Sequence, residues 1–257
     1  MNHIVSFSGG IGSWMAAKRV AEKFGTDSLC LVFCDTLAED PDLYRFLEEA
    51  ALDIGGQLIK LQDGRDIYDV FTEKQYIGTA LTAPCSGELK IKPFYNWIDN
   101  NFQPHDVTIY LGIDFTEAHR LESAQRNKPK YKIEAPLCEA PYMLKIEMFN
   151  ELKKSGIELP NLYKLGFSHN NCSGACVKAG SGQFKKLFND LPDVYRRFEL
   201  KQEKLIKEVP SVHPFISVTK NKKKVNLTMK QFREQHLQTI PDAVDDFDIG
   251  GCGCFID

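Results

Sequence analysis

The chain has 257 residues, which is long enough to bury a complete hydrophobic core in one domain. Hydrophobic residues make up 43% of it and charged residues 26%, and the net charge of −3 gives no overall attraction to nucleic acid or to a membrane surface. No segment approaches the roughly 20 apolar residues that span a bilayer, and the N-terminus has no secretion signal, so we expect a cytoplasmic protein that does not bind membranes.

The first half of the chain alternates between strand-like and helix-like patterns. Apolar residues recur at helical spacing from Ser13 to Phe24 and again from Asp40 to Ile54, where Asp40 and Pro41 are typical of a helix N-terminus. This alternation predicts a doubly wound α/β fold, with a parallel sheet and helices on both of its faces. The predicted strands cover residues 4–7, 29–33, 57–61 and 107–111, and a further helix covers residues 66–75.

Beyond Pro136 the pattern changes to helices joined by irregular segments. Residues 140–155 and 193–208 are the clearest helices, and residues 215–218 and 225–228 form a predicted hairpin with a basic tip between them. We therefore predict an α/β domain over residues 1–136 and a mostly helical, cysteine-bearing extension over residues 137–257.

A glycine-rich loop joins the first predicted strand to the first predicted helix. Its glycines allow backbone amides to approach a ligand, its serines add hydroxyl donors, and the helix directs its positive end at the same point. This is the end of the sheet at which such folds bind ligands, so the pattern predicts a phosphate-binding loop, against the alternative of a glycine-rich turn without a ligand. The loop lacks the Gly-Lys-Ser/Thr ending of a Walker loop and the third glycine of a dinucleotide fingerprint. Its residues are Ser8, Gly9, Gly10, Ile11, Gly12 and Ser13.

Four segments, in order along residues 4 to 125, resemble the adenine nucleotide α-hydrolase (PP-loop) superfamily, and within it the branch related to phosphoadenosine-phosphosulfate (PAPS) reductases. The glycine loop is similar to the SGGxxS pyrophosphate loop of that superfamily. The other three segments are Asp35-Thr36 followed by Glu39 and Pro41, Cys85-Ser86 followed by Lys90 and Pro93, and Gly112 followed by Glu117 and Arg120.

The resemblance implies that ATP or a close adenine nucleotide lies across the strand ends, with Mg²⁺. Ser8, Gly9, Gly10, Gly12 and Ser13 would hold the phosphates. Asp35 and Thr36 would contact adenosine or magnesium, and the backbone of Gly112 would approach the base or ribose. Lys90 and Arg120 would neutralise phosphate or sulfate charge during the reaction. The alternatives are a surface role for Asp35 and solvated ion pairs for Lys90 and Arg120.

The eight cysteines divide into two close pairs, Cys85 and three other thiols. Cys30, Cys34 and Cys138 are interpreted as buried, inert thiols. Two close pairs flanked by glycine and small residues have the composition of a four-thiolate site, which suits Zn²⁺ or a [4Fe–4S] cluster. The alternative is two sets of thiols without a metal, and His169 is a substitute ligand. The four predicted ligands are Cys172, Cys176, Cys252 and Cys254.

The cysteine pattern bears on the type of reaction. Reductases of the resembled branch that carry a cluster have a Cys-Cys pair where this chain has Cys85-Ser86, and others use a C-terminal Glu-Cys-Gly cysteine that this chain lacks. This combination of cysteine positions is closer to that of relatives that adenylate an acceptor, with release of pyrophosphate, in sulfur transfer or nucleobase modification. Cys85, near Lys90, is a candidate thiolate, with a half-buried inert thiol as its alternative. Two other functions stay open, a sulfonucleotide reductase and a non-catalytic nucleotide-binding subunit.

One segment is strongly basic although the chain as a whole is acidic. Residues 220–233 contain six lysine or arginine residues and no acidic residue. Such segregation predicts a docking surface for nucleic acid, and the alternative is a solvated turn whose lysines protect a strand edge. The sequence leaves the oligomeric state open, a homo-oligomer included. The six residues are Lys220, Lys222, Lys223, Lys224, Lys230 and Arg233.

Overall fold

A computed structural model describes residues 1–79, 82–220, 222–235 and 237. Five parallel strands form the central sheet in the order β3-β2-β1-β4-β5, which confirms the predicted doubly wound α/β class. A separate antiparallel pair, β6 and β7, lies in the C-terminal half. The strands are β1 (Asn2–Ser6), β2 (Leu29–Asp35), β3 (Gln57–Gln62), β4 (Val107–Tyr110), β5 (Lys132–Glu134), β6 (Ile216–Lys220) and β7 (Lys223–Leu227).

The second helix begins and ends at residues with clear conformational preferences. Asp40 caps the second helix by accepting a hydrogen bond from the amide of Asp42 at 3.0 Å, and Gly55 ends that helix in the left-handed conformation. The helices are α1 (Ile11–Phe24), α2 (Pro41–Ile54), α3 (Ile67–Lys74), α4 (Pro84–Ser86), α5 (Lys92–Asn101), α6 (His119–Asn127), α7 (Lys145–Lys154), α8 (Asn161–Lys164), α9 (Ser181–Asp190), α10 (Pro192–Glu208) and α11 (Met229–Gln235).

Both faces of the sheet are covered. On β1, Ile4 packs into a cluster with Phe94 and Ile98 of α5, whereas the next residue, Val5, packs with residues of α1, α2 and α7. A third cluster joins α3 to α9, α10 and the β6–β7 hairpin. Strands buried on both faces are characteristic of a parallel sheet, so β1 is apolar at successive positions rather than alternate ones. Among the described residues, no helix is both long enough and apolar enough to cross a bilayer.

Several element boundaries differ from those predicted. The three-residue strand β5 carries too short a pattern to be recognised, and the helix predicted from Ala140 begins at Lys145, after Pro141. A π-helical segment, Gly87–Ile91, joins α4 to α5 and was not predicted. The hairpin strands extend further into the basic segment than predicted, so Lys220 and Lys223 are paired strand residues. The division of the chain at Pro136 stays a prediction.

Candidate nucleotide site

The glycine loop connects the end of β1 to the start of α1. Gly9 has a φ of +76°, and a Cβ added there would lie 3.0 Å from Leu43 Cγ, so this turn requires glycine. Gly10 is the extended N-cap of α1. The Ser13 hydroxyl donates to the Gly10 carbonyl at 2.8 Å, and the Ser8 hydroxyl lies 3.3 Å from that of Ser13. The two serines therefore meet across the loop, at a helix N-terminus suited to an anion.

Two glycines bring the loop after β4 against the start of α1. A Cβ on Gly12 would lie 2.8 Å from the Gly112 carbonyl oxygen, and one on Gly112 would lie 2.6 Å from the Ser13 amide nitrogen. Neither position leaves room for a side chain without a backbone shift. Gly12 and Gly112 thus fix how closely the two chain segments approach, and the predicted contact of Gly112 with a base or ribose stays a prediction.

Two side chains from the C-terminal half hold the loop in place. The Ile11 amide donates to the Tyr163 hydroxyl at 3.2 Å, and the Asn170 side-chain amide donates to the Gly9 carbonyl at 2.9 Å. The contacting residues are separated by 152 and 161 positions in the chain. No local pattern around Tyr163 or Asn170 marks them, so these two contacts could not be predicted from the sequence.

Asp35 and Thr36 lie at the end of β2, where the sequence placed them. The Asp35 carboxylate accepts from the Tyr44 hydroxyl at 2.9 Å and from the Leu37 amide at 2.8 Å. Burial and the neighbouring Asp35 raise the pKa of Tyr44, which keeps it protonated as a donor. Thr36 is buried, and its hydroxyl donates to Glu39 at 2.9 Å. Asp35 is therefore the more accessible of the two predicted contacts.

Lys90 forms a buried ion pair with Glu39. Their charged atoms lie 3.4 Å apart, and the side chains are only 7% and 1% exposed. The other Glu39 oxygen accepts from the Cys172 amide at 2.5 Å. A buried ion pair of this kind depends on both partners, because removing one leaves an uncompensated charge. The structure thus places Lys90 beside the cysteine segment, and Glu39 is a partner that the sequence did not identify.

The segment with Cys172 and Cys176 has an unusual backbone. Cys172, Ser173 and Gly174 have successive φ values of +47°, +50° and +82°. The buried Ser173 hydroxyl donates to the Ala38 carbonyl at 2.9 Å, which holds this turn against the end of β2. A hydrogen bond with Cys176, burial and the nearby Glu39 raise the pKa of Cys172. The two thiols therefore lie side by side, as half of a four-thiolate site requires.

Cys252 and Cys254 lie outside the described residues. Within the described ranges, no group of three or more His, Cys, Asp or Glu side chains is arranged to hold a metal ion. The four-cysteine site therefore stays a prediction.

The remaining predicted residues lie in different surroundings. Cys85 is 9% exposed within an apolar cluster that also contains Leu89 and Ala175. The side chain of Arg120 is 11% exposed, and it donates to Glu117 at 2.6 Å. Of the cysteines interpreted as buried, Cys34 is 6% exposed, but Cys30 and Cys138 are only half-buried, so the interpretation is wrong for those two.

The basic segment separates into two groups in the structure. Lys230 pairs with Glu203 at 3.2 Å, and Arg233 pairs with Glu199, which is fully buried on α10, at 2.8 Å. These two residues stabilise the packing of α11 on α10. The exposed lysines of the hairpin form the other group: Lys220, Lys222, Lys223 and Lys224.

Comparison with known proteins gives structural similarities alone. No family model and no curated protein matches the sequence. A phosphoadenylyl-sulfate (PAPS) reductase from Candida auris, solved as a phosphate complex, is 14% identical, with a TM-score of 0.45 over 66% of this chain and 81% of that one. A predicted subunit of a tRNA methyltransferase from Methanocaldococcus jannaschii is 19% identical, with a TM-score of 0.34 over 61% of this chain and 88% of that one. Neither similarity assigns a role to any residue of this chain.

Proposed function

We propose that the chain is an ATP-binding enzyme that adenylates an acceptor and releases pyrophosphate, in sulfur transfer or nucleobase modification. The observation that carries the proposal is the glycine loop, which presents the N-terminus of α1 and two serine hydroxyls at the carboxyl end of a parallel sheet. A pyrophosphate group is of the right charge and size to receive hydrogen bonds from such a loop.

In the proposed reaction, an acceptor oxygen attacks the α-phosphorus of ATP. A new oxygen–phosphorus bond forms, the bond between the α-phosphorus and the bridging oxygen breaks, and pyrophosphate leaves with that electron pair. The loop amides with Ser8 and Ser13 stabilise the charge on the leaving group. Arg120 has the proposed role of neutralising phosphate charge during the reaction. Lys90, which is paired with Glu39, has the same proposed role of neutralising phosphate charge.

Magnesium fits this site, because Asp35 supplies a half-buried carboxylate at the end of β2 and Mg²⁺ is commonly held by one or two carboxylates with substrate phosphates. When bound, the ion would neutralise charge on the phosphate oxygens. Tyr44 and the Leu37 amide orient the Asp35 carboxylate.

The adjacent thiols Cys172 and Cys176 fit one half of a zinc or [4Fe–4S] site, with Cys252 and Cys254 as the proposed other half. When bound, such a group would crosslink the C-terminal residues to the segment that contacts Glu39 or, as a cluster, deliver sulfur. Cys85 is the proposed alternative thiol, and its burial among apolar side chains means that an acceptor must open a path to reach it.

We further propose that the acceptor is part of a nucleic acid. The four exposed hairpin lysines support this, because they raise the local potential on a chain of net negative charge. Lys230 and Arg233 contribute less, since both are engaged in ion pairs with α10.

Release of labelled pyrophosphate from ATP labelled at the γ-phosphate, measured with and without bulk RNA or DNA, tests the activity. Pyrophosphate formed only with nucleic acid is the expected result. Sulfite formed from a sulfonucleotide in the presence of a thiol reductant would instead identify a reductase. Tight binding of ATP without turnover under any condition would identify a non-catalytic nucleotide-binding subunit.

A further inference from the structure

A lysine near the glycine loop has no ion-pair partner in the described part of the chain. Lys145 is the first residue of α7, and its ammonium group donates to the Ser168 carbonyl. It is half-buried, with the rings of Tyr163 and Phe149 centred 5.2 and 6.0 Å away. Among the described residues, no carboxylate forms an ion pair with it. Burial accordingly lowers the pKa of Lys145, because the charged form has lost part of its hydration.

A neutral imidazole lies next to this cation. Burial, with the positive charges of Lys145 and Arg120, lowers the pKa of His169 to about 4, so its ring is uncharged near neutral pH. Neither ring nitrogen of His169 forms a hydrogen bond with another described residue. A neutral imidazole has one N–H donor to offer.

Two short connections place this pair at the glycine loop. The Lys145 ammonium lies over the face of the Tyr163 ring, and the Tyr163 hydroxyl accepts a hydrogen bond from the Ile11 amide. The chain from Ser168 to Asn170 makes the second connection. Ser168 accepts from Lys145, and the Asn170 side chain donates to the Gly9 carbonyl. A single side chain, that of Tyr163, therefore contacts both the lysine and the first amide of α1.

The nearby carboxylates already have donors. Glu117 accepts from Arg120 at 2.6 Å, and Asp114 accepts from the amide and hydroxyl of Thr116 at 2.8 and 2.5 Å. Both carboxylates raise the pKa of Lys145 from a distance, but the lowering of that pKa by burial is larger. An anion in direct contact with Lys145 would provide the compensation that these groups do not.

We propose that Lys145 and His169, with Arg120, form a second anion subsite beside the glycine loop, which takes a phosphate group. That phosphate belongs either to the outer part of the nucleotide chain or to the acceptor. Lys145 supplies the charge, and the N–H of His169 supplies a hydrogen bond. This inference rests on the proposed function in that it places the subsite next to a bound nucleotide.

The test compares the wild-type chain with Lys145→Met and with Lys153→Met as a matched control, since Lys153 is an exposed lysine on the same helix. Calorimetry measures the binding of ATP, ADP and AMP, and of inorganic phosphate to the free and the AMP-loaded protein. Thermal melting verifies that each variant is folded, and Lys145→Arg provides a variant that keeps the charge.

Loss of a charged contact is expected to weaken binding by about 10- to 100-fold. If Lys145→Met weakens the binding of ATP by this factor and the binding of AMP by less than about twofold, the phosphate belongs to the nucleotide. If Lys145→Met weakens only the binding of inorganic phosphate, the phosphate belongs to the acceptor. Equal affinities for all of these ligands in Lys145→Met and the wild type would overturn the subsite. A wild type that binds no adenine nucleotide would refute the proposed function, while the phosphate titration of the free protein would still decide the subsite.

Discussion

Gly10 is the position at which the phosphate loop can be tested without disturbing the fold. Its backbone is extended, with φ −91° and ψ 159°, which any residue adopts. An added Cβ would lie 3.4 Å from the Tyr163 hydroxyl and 3.6 Å from the Ser8 hydroxyl, which the side chains can accommodate by a small shift. By contrast, a side chain on Gly9 meets a positive φ, and one on Gly12 collides with a carbonyl oxygen. The choice of Gly10 therefore separates ligand binding from folding.

Replacement of Gly10 by valine should place two methyl groups in the space that the phosphates need. Loss of two hydrogen bonds to a charged group, at about 1.5–3 kcal/mol each, is about 3–6 kcal/mol, or a loss of ATP affinity of more than about 100-fold. The cost to the fold should be at most about 1 kcal/mol, since valine is a poorer N-cap than glycine but also restricts the unfolded chain. For a chain of this size that corresponds to a fall in melting temperature of about 2–4 °C.

Calorimetry with ATP checks the expected loss of affinity, and thermal melting of the same samples checks the expected cost to stability. Gly87→Val serves as the control, because an added Cβ at Gly87 meets no atom within 4 Å. ATP affinity that is the same in Gly10→Val and the wild type would refute the assignment of the loop to phosphate binding. A Gly10→Val variant that melts far below the control would instead refute the expectation that the fold can accommodate a side chain at this position.

Three further outcomes follow from the structure. Replacement of lysines 222–224 by glutamate should remove nucleic-acid binding at low salt in a filter-binding assay, and unchanged affinity would leave the hairpin as a solubilising turn. Truncation after Gly250 should release metal, measured by elemental analysis, and lower the melting temperature, whereas full metal content would exclude Cys252 and Cys254 as ligands. His169 should contribute a rise of about 2–3 kcal/mol to the free energy of unfolding between pH 4 and 6.5, because the unfolded state binds a proton there that the folded state, with the pKa of His169 lowered to about 4, does not. His169→Gln should flatten that part of the pH profile, and an unchanged slope would contradict the assignment.

The parts of the fold that could be predicted are those with local signals. Asp40, Pro41 and Gly55 mark the ends of α2 by their own conformational preferences, and the structure confirms them. The glycine loop is likewise recognisable because its three glycines lie within four positions of the sequence, between a strand and a helix. A three-residue strand such as β5 has no such signal, since its pairing with β4 alone makes it a strand.

The supports of the candidate site could not be predicted, because they are contacts between distant residues. Glu39 contacts the Cys172 amide across 133 positions, and its burial with Lys90 follows from how β2 and the π-helical segment pack together. Glu39 was noted only as part of an Asp-Thr motif. A carboxylate in a sequence does not reveal whether it will be solvated or will hold an amide in the interior.

The change of pattern at Pro136 divides the sequence, but the candidate site draws on both sides of it. Tyr163 and Asn170 hold the loop of residues 8–13, and Cys172 contacts Glu39. Because Asn170 and Cys172 are only two residues apart, one short segment is hydrogen-bonded both to the glycine loop and to the buried ion pair that follows β2. A chain without that segment would leave the Gly9 carbonyl and the Glu39 carboxylate without these donors. Residues of the C-terminal half are therefore part of the candidate nucleotide site rather than an appendage to it.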